Sequence, residues 1–113
     1  MKKILVITCL LVLTGVFSAA ALENKGAAEI TLDGGERGVV PFPHHRHQNK
    51  LGDCNICHAF FPQEQGAIVR LKKAGKLAPK QIMNKHCIKC HKAEKKAGHE
   101  AGPVTCSKCH QRG

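Results

Sequence analysis

The 113-residue chain carries 18 Lys and Arg against 8 Asp and Glu, a formal net charge of +10, and its length allows a single domain. With four Phe and no Trp or Tyr, it lacks the aromatic platforms on which nucleic-acid bases stack, so its positive charge does not point to nucleic acid. The same shortage of large apolar side chains leaves too little to build a core unaided, and a chain this small then needs cross-links or added apolar mass.

Met1-Lys2-Lys3 is a basic start, Ile4 to Phe17 is a nearly unbroken apolar run, and Ser18-Ala19-Ala20-Ala21 supplies small residues ahead of Glu23-Asn24-Lys25. This order predicts a cleaved secretory signal peptide over residues 1–21, cut after Ala20 or Ala21. The apolar run falls short of the ~20 residues that span a bilayer, so the mature domain, 22–113, is expected not to cross a membrane. Cys9 lies in the middle of the run and not beside the small residues, where a lipoprotein cysteine would stand. Without Lys2 and Lys3 the 18 basic residues fall to 16 against 8 acidic, a formal charge of +8.

Glu29-Ile30-Thr31-Leu32 alternates polar and apolar, Asp33-Gly34-Gly35 signals a turn, and Val39-Val40 follows with Phe42. A short two-stranded β-hairpin is expected there. In Pro41-Phe42-Pro43-His44-His45-Arg46-His47, Pro43 suits the first turn of a helix. His44 and His47, three apart, would then share one face, with His45 turned away and exposed. Three histidines in four positions favour metal ligation, because His is the commonest metal ligand.

Cys54-Asn55-Ile56-Cys57-His58 follows, and its pattern recurs at Cys87-Ile88-Lys89-Cys90-His91 and Cys106-Ser107-Lys108-Cys109-His110. Cys-x-x-Cys-His is the attachment sequence of c-type haem. Each thiol adds across one vinyl group of the porphyrin, and residues three apart lie on one helical face about a turn apart. The adjoining histidine, His58, His91 or His110, is the proximal iron ligand. Export fits the cysteine count, since seven less Cys9 leaves three pairs with none over. A disulfide framework or a zinc module would use such cysteines too, but neither explains a histidine after every second one. Three haem c groups are therefore expected, and they would serve as the core. Many lysines would partner their propionates, and the remaining charge would steer the protein toward acidic redox partners or anionic surfaces.

Between the first two sites, Phe60 and Phe61 are expected to cover a porphyrin. Ile68, Val69 and Leu71 mark a helix ending at Ala74-Gly75. The next helix is expected to begin at Pro79 and to run through Ile82-Met83 into the second site. Gly98, Gly102 and Pro103 break the linker before the third site. The lysine-rich stretches 70–80 and 92–96 read as solvated helix faces.

Phe42-Pro43-His44-x-x-His47-Gln48, followed by Asp53-Cys54-x-x-Cys57-His58 and two further Cys-x-x-Cys-His sites, resembles the triheme cytochrome c7 family. That family belongs with the tetraheme cytochromes c3 among class III multihaem cytochromes. The resemblance implies a small, mostly irregular and α-helical fold, with an N-terminal two-stranded hairpin, wrapped around three covalent haems. It implies bis-histidine iron, with His44 distal to the haem at Cys54/Cys57 and His47 distal to the haem at Cys87/Cys90. The chain departs from the family in its longer segments after His58 and after His91. In the family the third distal ligand is a His four residues before the first Cys of the second site, and that position here is Met83. Methionine ligates iron in other c-type cytochromes and raises the potential relative to a second His, although on a helix it more commonly packs a core. His99, flanked by glycines, and His86, abutting Cys87, are the alternatives.

The expected function is periplasmic electron transfer in anaerobic respiration by a monomeric carrier, since an iron with both axial positions filled exchanges electrons without binding substrate. If one iron lacks a distal ligand, reduction of a metal ion or sulfur compound becomes the alternative. A haem-bearing unit of a conducting filament ranks third. No Ser/His/Asp arrangement or phosphate-binding loop is present.

Overall fold

A computed structural model describes residues 24–113. The expected signal peptide, with Cys9, lies outside the described residues. Ile30–Leu32 (β1) and Val40–Phe42 (β2) pair antiparallel, with Ile30 opposite Phe42, Thr31 opposite Pro41 and Leu32 opposite Val40. Pro41 donates nothing to the ladder, which an edge strand tolerates. The connection is fixed by Asp33, whose Oδ1 accepts the Gly35 N–H at 2.9 Å. Lys72 reaches across to donate to the Asp33 carbonyl at 3.0 Å and lies 3.4 Å from its carboxylate. The Gly35 N–H foremost, and then Lys72, hold the Asp33 carboxyl below its ordinary value. Farther along, Val39 and Gln111 exchange backbone hydrogen bonds of 3.0 and 2.8 Å, tying the end of the chain to the hairpin.

The α-helices are short, and all but one carry candidate haem residues. His44–Leu51 (α1) starts behind Pro43 and stops at Gly52, which takes a left-handed φ of 67°. Asn55–His58 (α2) opens where the Asp53 carboxylate accepts the Asn55 N–H at 2.9 Å. Ala67–Lys73 (α3) ends as expected at Ala74-Gly75: the Gly75 and Lys76 N–H groups return to the Lys72 and Leu71 carbonyls at 3.0 and 2.9 Å, the Schellman pattern. Ile88–Lys96 (α4) ends the same way at Gly98, and Cys106–Cys109 (α5) is a single turn.

The helix expected from Pro79 instead begins at Gln81. Lys80 adopts a left-handed φ of 61°, which no helix accommodates, and the Gln81 side chain accepts the Ala78 N–H at 2.9 Å as a substitute cap. Met83–Cys87 then forms a π-helical turn, in which the Ile88 N–H donates to the Met83 carbonyl five residues back. Such a turn inserts one extra residue and is frequent at functional sites. Here it sets the rotation of Met83 relative to Cys87 and His91.

Side chains alone make almost no core. Among the described residues only Ala67 and Leu77 are buried, while Ile56 and Phe60 are about half exposed. In place of a core the chain encloses a cleft of about 1600 Å³, lined by Phe42, His47, Met83, Cys87, His91 and His110 among others. Among the described residues no helix is long and apolar enough to cross a membrane.

Candidate haem sites

Helix α1 presents His44 and His47 one turn apart, each to a different partner. The His44 ring stands 6.2 Å from that of His58 on α2, at 88° to it, and the His47 ring stands 6.1 Å from that of His91 on α4. A first-row metal lies ~2.0 Å from an imidazole nitrogen and the ring centre ~1.1 Å farther, so two rings sharing one ion have centres ~6.2 Å apart. Both pairs have the separation an iron between them requires.

The outer nitrogen of each ring is already committed. His44 Nδ1–H donates to the Ala27 carbonyl at 2.9 Å, His47 to Pro43 at 2.9 Å, His58 to Phe61 at 2.8 Å and His91 to Pro103 at 2.7 Å. These bonds fix the tautomer that leaves Nε2 with its lone pair free, and they orient the ring, as at metal sites generally. Close packing holds two of the rings further. Phe42 lies 4.3 Å from His47, ring to ring. Gly102 backs so closely onto His91 that a Cβ there would lie 2.5 Å from its Cε1.

At the third motif His110 Nε2 faces Met83 Sδ at 3.3 Å. A metal between a sulfur and an imidazole nitrogen needs ~4.3 Å in line, from bonds of ~2.3 and ~2.0 Å. Met83 must therefore withdraw by ~1 Å to admit one, a movement that its flexible thioether arm allows. The other two candidates point elsewhere. His99 bonds Glu94 through Nδ1 at 2.9 Å and is half exposed. His86 packs against Phe60 and Phe61, with ring centres 4.6 and 5.1 Å away. The two Phe residues thus cover His86, while the Phe61 carbonyl serves His58. His45, expected to be exposed, is half-buried, because its Nε2 donates to the Gly26 carbonyl at 2.9 Å.

None of the six described cysteines is paired in a disulfide. Burial pushes the Cys57, Cys87 and Cys109 thiols above their ordinary value. Repulsion across the motifs adds to this, Cys90 acting on Cys57, and Cys109 and Cys57 acting on Cys87, so the three pairs lie close together. Among the described residues no three His, Cys, Asp or Glu side chains converge as a polydentate metal site would need. The donor set fits haem instead: adjacent thiols, one imidazole beside each pair, a facing ligand, and a cleft too large for one small ligand. Sequence reasoning missed the carbonyls of Ala27, Pro43, Phe61 and Pro103, whose only signal was the turn chemistry of Pro43 and Gly102-Pro103.

Residues 40–111 match the family described as cytochrome c7 and related cytochrome c. A cytochrome c7 of Geobacter metallireducens is 33% identical over 88 residues, covering 76% of this chain and 78% of the relative. Among solved structures, PpcC, a cytochrome c7 from Geobacter sulfurreducens, is 31% identical with a TM-score of 0.53, over 77% of this chain and 100% of that one. The triheme cytochrome PpcA of the same organism is 30% identical with a TM-score of 0.53, over 76% of this chain and all (100%) of its own. The small hairpin-and-helix fold expected from the sequence is the one observed.

Proposed function

This chain belongs to the cytochrome c7 family, multihaem electron-transfer cytochromes, and from that premise we propose that it is a periplasmic carrier of electrons between redox proteins in anaerobic respiration. The observation that carries the reading is the pairing of His44 with His58 and of His47 with His91 at 6.2 and 6.1 Å. Each ring has its Nδ1 spent on a carbonyl and its Nε2 left for iron.

In this reading Cys54/Cys57, Cys87/Cys90 and Cys106/Cys109 tether three haem c groups. His58, His91 and His110 are the proximal ligands. His44 and His47 are the first two distal ligands, and Met83 is the third, favoured over His99 and His86 by its position against His110. When bound, haem supplies reversible one-electron chemistry at iron, without a substrate site where both axial positions are filled. The chain's own contribution is to hold each imidazole rigid, so that little reorganises as charge changes. The four carbonyl bonds and the Gly102 contact do this. Exposed lysines such as Lys85, Lys89 and Lys92 would favour acidic partners, and the N-terminal signal pattern favours export to the periplasm.

Absorption spectra of the purified protein test this reading. Sharp c-type bands on reduction are expected, with a weak far-red band in the oxidised protein from methionine on iron that disappears in Met83→Ala. The reduced protein is expected to ignore carbon monoxide. Carbon monoxide binding would mean an open iron and would replace the carrier by the reductase.

A further inference from the structure

The five ring histidines at the three motifs are not treated alike. Four of them donate Nδ1–H to a backbone carbonyl at 2.7–2.9 Å. The fifth, His110, has a buried Nδ1 with no hydrogen-bond partner. An unpaired buried N–H is destabilising and uncommon, so its persistence requires a cause.

The surroundings supply one. Gly34 closes directly on the ring, since a Cβ built there would lie 2.5 Å from His110 Nδ1 and 1.9 Å from the Gly38 carbonyl oxygen. Most nearby carbonyls have other donors: Asp33 takes Lys72, Gly35 takes the Gly38 N–H, and Val39 and Gln111 take each other's N–H. The Gly38 carbonyl, beside the same Gly34 Cβ position, takes no donor among the described residues, yet it makes no hydrogen bond with His110 Nδ1 either. Pro103 serves His91. The bridge between Val39 and Gln111 pins the residue after His110, so the ring has little freedom to seek an acceptor.

The electronic consequence follows from ligand chemistry. An imidazole that donates Nδ1–H to a carbonyl becomes a more basic ligand, and a more basic ligand favours the oxidised iron. Withholding the acceptor does the opposite. A thioether in the facing position acts in the same direction. Resting on the assignment of His110 as an iron ligand, we propose that the chain denies His110 an Nδ1 acceptor so that the third site holds the highest reduction potential of the three, beyond what Met83 alone would give. Gly34 is the positioning residue. Electrons entering at either bis-histidine site would then collect at Cys106–His110.

Two measurements on the haem-loaded protein test this. In the reduced protein with ¹⁵N-labelled histidine, four ligand Nδ1 protons are expected downfield and slow to exchange, and that of His110 upfield and faster. Five equivalent signals overturn the proposal. In Met83→His, which makes all three sites bis-histidine, the third potential is expected to remain above the other two in a spectroelectrochemical titration. Its fall to their level also overturns the proposal. The premise is checked separately by His110→Ala, which is expected to lose one low-spin centre. Retention of all three would remove His110 from iron, and with it both the ligand assignment and this inference, whereas five equivalent Nδ1 signals would leave the assignment standing.

Discussion

Gly102→Ala tests how tightly the second site is built, because it adds one methyl group against the His91 ring. That methyl would lie 2.5 Å from Cε1, 2.8 Å from Nε2 and 3.0 Å from Nδ1, where ordinary contact begins at 3.4 Å. Either the ring or the 101–103 loop must shift by about 0.9 Å, and overpacking of this kind costs about 1–3 kcal/mol. If the ring moves, its 2.7 Å bond to the Pro103 carbonyl is lost as well, for about 0.5–1.5 kcal/mol more. A total of about 1.5–4.5 kcal/mol corresponds to a drop in Tm of roughly 6–36 °C for a domain of this size. Gly102 lies outside the left-handed region, so the backbone accepts alanine and the effect is one of contact alone. Gly98→Ala is the control: its φ of +82° is strained for alanine but nothing lies within 4 Å, so it is expected to cost about 1–2 kcal/mol without touching His91. Thermal unfolding of the oxidised haem-loaded protein reads the stability, and electron paramagnetic resonance reads the second iron. A Gly102→Ala protein with wild-type Tm and an unchanged second-site signal would refute the close approach of Gly102 to His91.

Two further outcomes are expected. Replacing Cys106 and Cys109 together by serine removes one covalent haem by mass spectrometry and abolishes the far-red methionine band, while the two bis-histidine centres remain low-spin; loss of all three haems would show that the sites do not load independently. Because the folded state holds the Asp33 carboxyl below its ordinary value of 3.8, chiefly through the Gly35 N–H and then Lys72, its contribution is fully present above that value and fades as pH falls through the lower folded value. Asp33→Asn is therefore expected to flatten the acid limb of a stability-versus-pH curve and to leave its neutral-to-basic side parallel to wild type.

The family was legible in the sequence. Cys-x-x-Cys-His needs no folding to be recognised, because its thiol pair and adjoining histidine are contiguous, and the family match agrees with it. The hairpin was legible for the same local reason, as alternation and an Asp-Gly-Gly turn act within a dozen residues, and so were the glycine stops of α3 and α4. The start of the helical stretch at Gln81 was not, because Lys80 takes a left-handed conformation that no local propensity demands. Tertiary structure alone decided the geometry. The family resemblance implied that His44 faces His58 and His47 faces His91, but their ring separations, the choice of Met83 over His99 and His86 against His110, and the lack of an Nδ1 acceptor at His110 among the five rings facing one another or Met83 all depend on contacts between distant segments. Met83 illustrates the reason: a π-turn sets its rotation on the helix, and the Val39–Gln111 bridge brings His110 to it from 27 residues away. Local sequence specifies which candidate ligands exist, and only the folded backbone fixes the distances between them and the carbonyl partners that orient them.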